Sequence, residues 1–96
     1  MQFLVLTRRR MEAYPAEQWT PELIAAESQR VREMYVSGSL RSIWRRKDMP
    51  GAAILFEAAS EDEARALASS LPLAQRGMIE FPLITQLEPY PGFGPR

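Results

Sequence analysis

The order in which β-prone runs and helix starts alternate restricts this chain of 96 residues to few architectures. Phe3, Leu4, Val5 and Leu6 form a short apolar run inside Gln2 to Arg8, the pattern of a central strand covered on both faces. A stretch without period follows through Tyr14, Pro15 and Trp19. Thr20 and Pro21 then supply a helix start: a side-chain oxygen for free amides and a proline at the first helical position. The helix is expected to run to about Val36, where Ser37 and Gly38 end it. Leu40 to Arg45 reads as a strand with Leu40, Ser42 and Trp44 on one face and Arg41, Ile43 and Arg45 on the other. Lys47 to Gly51 makes a turn, and Ala52 to Ala58, centred on Ile54, Leu55 and Phe56, pairs back as an antiparallel hairpin.

Ser60, Glu61, Asp62 and Glu63 match a capping box, in which Ser60 and Glu63 each satisfy an amide at the helix start. Ala64, Leu67, Ala68 and Leu71 follow at helical spacing, and Pro72 is read as closing this second helix. Met78 to Leu87 gives the last strand. Its internal Pro82 has to sit at an edge or a bulge, because proline has no N–H for a ladder hydrogen bond. The order is the split βαβ, α+β arrangement: a ferredoxin-like βαββαβ sandwich with a four-stranded antiparallel sheet and both helices on one face. Residues 1–88 form the domain, and 89–96 read as an extended Pro/Gly-rich tail. With the other sheet face uncovered, a homodimer is the expected minimum unit.

Composition excludes whole classes of chemistry. The chain has no cysteine and no histidine, so there is no disulfide, no thiol nucleophile, and neither the commonest metal ligand nor the neutral-pH proton shuttle. No metal site or cofactor is expected. Twelve basic and twelve acidic side chains cancel, which argues against nucleic-acid and membrane partners. The run Arg8, Arg9, Arg10 is read as solvated surface. No signal peptide and no apolar stretch of about 18 residues is seen, so a cytoplasmic location is the default.

One carboxylate is out of place. At 100° per residue the first helix carries an apolar stripe of Leu23, Ile24, Val31, Met34 and Tyr35, and Glu27 falls near its middle. Burial raises the pKa of a carboxyl group, and a carboxylate titrating nearer neutrality suits general acid–base work. Glu27 is therefore the catalytic candidate. The alternative is that it reaches solvent past Ala26 or Arg30, or pairs with an arginine such as Arg41 for structural reasons. Arg41 and Arg45 are candidates to hold an anionic ligand, and Trp44 and Tyr35 to shape a pocket wall, although aromatic residues facing a helix are more often core.

Glu27 in the first helix, Gly38 at its end, the strand Leu40-Arg41-Ser42-Ile43-Trp44-Arg45, Phe56 in strand three and Leu71-Pro72-Leu73 after the second helix occur in register over nearly the whole chain. In these residues the sequence resembles the muconolactone isomerases and their relatives among dimeric α/β barrels. The resemblance implies paired subunits, often built into larger rings or decamers, and an enzyme of aromatic catabolism that moves a double bond in a small anionic lactone without metal or cofactor. Glu27 matches the family's glutamate. Where those isomerases carry a His-Tyr-x-Asn cluster entering strand three, this chain has Met49, Pro50, Gly51 and Ala52, which implies a more apolar pocket and a larger or less polar ligand. The competing expectation is a non-catalytic ligand-binding or assembly protein on the same scaffold.

Overall fold

The computed structural model describes residues 1–93. Its elements are β1 (Gln2–Arg9), α1 (Pro21–Ser37), β2 (Leu40–Arg45), β3 (Ala52–Glu57), α2 (Glu61–Ser69), α3 (Pro72–Gln75) and β4 (Ile79–Leu87), with a 3-10 turn at Ala16–Gln18 before α1. All strand pairs are antiparallel, in the order β2-β3-β1-β4. This is the expected α+β arrangement, a four-stranded ferredoxin-like sheet with the helices on one face.

Capping chemistry sets the helix limits. Thr20 Oγ1 accepts from the Leu23 amide at 3.2 Å ahead of Pro21, and Gly38 closes α1 at φ +88°, a left-handed conformation that costs a residue with a Cβ about 1–2 kcal/mol. Ser60 Oγ accepts from the Glu63 amide at 3.1 Å. The Glu63 carboxylate reaches the amide of Ala59, one residue before the cap. Pro72 does not merely close α2, which already ends at Ser69; it opens the additional short helix α3. The same missing N–H that bars proline from a helix interior suits it to the first turn.

Residues paired across the strands share a face. Phe3, Val5, Ile54, Phe56 and Leu40 turn toward the helices and are almost wholly buried with Leu23, Met34, Leu71, Leu73 and Met78. The opposite face carries Leu4, Leu6, Ala53 and Leu55, only half-buried in the single chain, with the more exposed Leu83. Pro82 meets both conditions that its chemistry imposes. It lies on an edge strand, and at the register shift between Leu6 and Arg8, where one residue of β1 faces two of β4.

Strict alternation fails in β2. A bulge between Leu40 and Ser42 takes up Arg41, so Leu40 packs into the core opposite Phe56 while Ile43 and Arg45, opposite Ile54 and Ala52, lie on that same face. Leu40 therefore does not share a face with Ser42 and Trp44. The α1 stripe is also narrower than its sequence pattern: Tyr35 is 65% exposed, because it stands about 120° round the helix from Leu23.

Beyond β4, Tyr90 and Phe93 of the C-terminal segment are exposed. Of the expected 89–96 tail, residues 94–96 lie outside the described residues. Among the described residues no helix is long and apolar enough to cross a membrane.

Candidate active site

A cavity of about 310 Å³ opens between α1, the β1–β3–β2 part of the sheet and the start of α3. Glu27 and Ser28 enter it from α1, Thr7 and Arg9 from β1, Ile43, Trp44 and Arg45 from β2, Gly51 and Ala52 from the start of β3, and Leu71 and Leu73 from the α2–α3 region.

Glu27 is half-buried, and its Oε1 accepts from the Leu73 amide at 3.0 Å. The bond has a simple origin. Pro72 brings no N–H, Leu71 caps α3 with no side-chain hydrogen bond, and the Leu73 amide is the first available donor of that helix. Loss of hydration raises the Glu27 pKa above the ordinary carboxylate value; the Leu73 N–H and the positive charge of Arg9 pull it back without cancelling the rise. The carboxylate is thus held in one place and is more basic than a surface glutamate.

The three consecutive arginines are not equivalent. Arg8 donates to Glu12 at 2.7 Å and to Glu80 at 2.6 Å. Arg10 donates to the Gly77 carbonyl at 2.9 Å and lies over the Tyr14 ring. Arg9 lines the cavity, its guanidinium carbon 5.2 Å from the centroid of the Trp19 ring. Among the described residues neither Arg9 nor Arg45 forms an ion pair. The expectation of a merely solvated run gives way to three half-buried side chains with separate tasks.

The turn before β3 brings backbone against backbone. A Cβ on Gly51 would stand 2.1 Å from the Thr7 carbonyl oxygen, so only glycine permits this approach. Thr7 is 3% exposed, and its hydroxyl accepts from the Ala52 amide at 2.9 Å, replacing a ladder bond at the point where β3 begins.

Of the residues singled out in the sequence, the fold brings Glu27, Trp44 and Arg45 to one cavity. Trp44 is 55% exposed and is paired with Ala53, on the face away from the helices. Arg41, at the bulge, and Tyr35, on the outer side of α1, lie outside the lining. Thr7 and Ser28 had not been singled out, and Arg9 only as part of a basic run read as solvated surface. For Arg9 the signal was available: Phe3, Val5 and Thr7 alternate onto the core face, and Arg9 continues that alternation.

The fold is a ferredoxin-like α+β sandwich, with a half-buried carboxylate at the wall of a small cavity between sheet and helices. The model of the muconolactone delta-isomerase family matches residues 1–92, and the chain belongs to that family. Two solved structures share the fold at 20% identity. One is a muconolactone isomerase, with a TM-score of 0.75 over 97% of this chain and 94% of that one. The other is 5-chloro-2-hydroxyhydroquinone dehydrochlorinase from Burkholderia phenoliruptrix in complex with 2,5-dihydroxybenzoquinone, with a TM-score of 0.68 over 92% of this chain and 94% of that one. No curated protein matches.

Proposed function

We propose that the chain is an enzyme of aromatic catabolism, an intramolecular isomerase that uses Glu27 to shift a proton, and with it a double bond, within a small anionic cyclic metabolite of the lactone class. The observation that carries this reading is the Glu27 carboxylate, fixed by the Leu73 amide and made more basic by burial at the wall of a cavity that also holds Arg9 and Arg45. In the reaction, Glu27 removes a proton from a carbon conjugated to the ring carbonyl. The C–H electrons delocalise onto the carbonyl oxygen as an enolate. Collapse of the enolate takes a proton from the Glu27 carboxyl group at another carbon, so the ring keeps its composition and the carboxylate is regenerated. A guanidinium beside the enolate stabilises charge that exists only during the step.

Cavity size bears on the ligand. About 310 Å³ is at the lower end of the roughly 300–1,000 Å³ common for small-molecule sites. That favours a single ring over the larger ligand suggested by Met49 to Ala52. Family membership and two structural relatives whose names denote an isomerase and a dehydrochlorinase support an enzyme over a purely structural role. A second copy covering Leu4, Leu6, Ala53 and Leu55 belongs to this reading, since a sheet face this apolar favours burial, and the proposed unit is a homo-oligomer acting in the cytoplasm.

The test is spectrophotometric turnover of muconolactone by the protein beside Glu27→Gln, both first shown to have the same oligomeric size. Turnover in the wild type that falls at least a hundredfold in the variant is expected. Equal rates in the two proteins would remove Glu27 from the chemistry.

A further inference from the structure

The two cavity arginines differ in setting although they are the same residue type. Arg9 continues the core-facing alternation of β1, is half-buried, and lies over Trp19. Trp19 is itself tied down, its indole N–H donating to the Tyr14 carbonyl at 3.1 Å. The strand beneath is pinned by the Arg9 amide, which donates to the Pro50 carbonyl at 3.0 Å. Arg45, the last residue of edge strand β2, is exposed. The positive charge of Arg9 acts on Glu27, holding down the rise in its pKa that burial causes.

A guanidinium that is stacked and half-desolvated is oriented before the ligand arrives. Preorganised positive charge of this kind is most effective where negative charge develops during reaction. A guanidinium at the open end of an edge strand keeps its hydration and freedom, which suits capture of charge that the ligand already carries.

Resting on the isomerase reading, we propose a division of labour: Arg9, held over Trp19, is the donor to the enolate oxygen that forms as Glu27 takes the proton, and Arg45 anchors the ligand's carboxylate. Proton and electrons follow the path given above; Arg9 donates hydrogen bonds without transferring a proton. Trp19 is a positioning residue that acts through Arg9.

Two measurements separate this proposal from the reading it rests on. The first is steady-state muconolactone kinetics of Arg9→Gln, Arg9→Lys and Arg45→Gln, each checked for wild-type thermal unfolding. Arg9→Gln is expected to lose on the order of a hundredfold in kcat, in line with removal of one oxyanion donor, with KM within about threefold of wild type. Arg9→Lys keeps the charge and recovers part of that loss. Arg45→Gln is expected to raise KM by about tenfold, the scale of one charge-assisted hydrogen bond, with kcat little changed. The second is calorimetric binding of 2,5-dihydroxybenzoquinone, whose ionised enolic oxygens stand in for an enolate, and it needs no turnover. Its affinity is expected to fall about tenfold or more in Arg9→Gln. If muconolactone is not turned over at all, the substrate reading fails, and the quinone still decides the role of Arg9. Loss in Arg9→Gln that falls on KM alone, failure of the wild type to bind the quinone, or quinone binding indifferent to Arg9 overturns the proposal.

Discussion

The Glu27 side chain and the Leu73 backbone amide, 46 residues apart in sequence, meet at 3.0 Å. The bond caps a four-residue helix that has no side chain of its own to do so, and it fixes the carboxylate on which the proposed chemistry depends. A structural role and the proposed chemical one therefore coincide in one residue, and substitutions can separate them.

Glu27→Gln keeps an oxygen able to accept from Leu73, whereas Glu27→Ala leaves that amide without its partner. The alanine variant is expected to be less stable by about 1–3 kcal/mol, the cost of an unsatisfied buried donor, and the glutamine variant to lie close to wild type near pH 4. Urea unfolding of the three proteins measures this, and equal stability of the alanine and glutamine variants would show that the bond contributes little.

The pH dependence has a definite sign. Burial raises the Glu27 pKa above 4.5, so between the unfolded and folded values the native state binds the extra proton. Stability from this group is complete below the unfolded pKa and is lost as pH rises through the folded one. Wild type is thus expected to lose stability relative to Glu27→Gln on going from pH 4 toward neutrality. Unfolding midpoints compared across that range would show the two proteins diverging; parallel curves would mean that the carboxylate is not desolvated. The acid limb of kcat/KM is expected to lie above pH 4.5 for the same reason.

Two glycines give a contrast in mechanism. At Gly38 an added Cβ meets nothing within 4 Å, and only φ +88° opposes it, so Gly38→Ala is expected to cost about 1 kcal/mol. At Gly51 the Cβ would strike the Thr7 carbonyl oxygen at 2.1 Å. Backbone has to move there, and Gly51→Ala is expected to cost about 1–3 kcal/mol or more and to distort the cavity. Thermal unfolding orders the two, and a smaller loss at Gly51 than at Gly38 contradicts the close approach.

On the helix-free face, a charge at Leu4 or Leu55 would be desolvated by the proposed second copy. Leu55→Glu is expected to shift the protein to monomer in sedimentation velocity, with α-helical circular dichroism retained. A variant that sediments as wild type would place the subunit contact elsewhere.

The fold was legible because local signals agreed: Thr20-Pro21 and Ser60-to-Glu63 start the helices, Gly38 stops one, and Pro82 could occupy only an edge or a bulge. What escaped the sequence were features that depend on partners far along the chain. A bulge at Arg41 moved Leu40 onto the core face and left Arg41 outside the cavity lining, and nothing in a six-residue strand announces where its alternation breaks. Helix α3 was hidden because Pro72 reads equally as an end and as a beginning. Glu27 stood out as a charge in an apolar stripe, yet its partner is a backbone amide, which has no sequence signature. Arg9 was obscured by its neighbours Arg8 and Arg10, although the alternation of Phe3, Val5 and Thr7 pointed to the face it shares.

The most direct measurement of the central claim is proton NMR of the isomerisation of muconolactone in deuterium oxide, catalysed by the wild type and by Glu27→Gln. A carboxylate that takes a proton at one carbon and returns it at another, exchanging with solvent in between, is expected to give wild-type product carrying deuterium at the newly formed C–H position, with no enzymatic conversion in the variant. Conversion by Glu27→Gln at the wild-type rate, with the same deuterium incorporation, would show that another group moves the proton and would contradict the account.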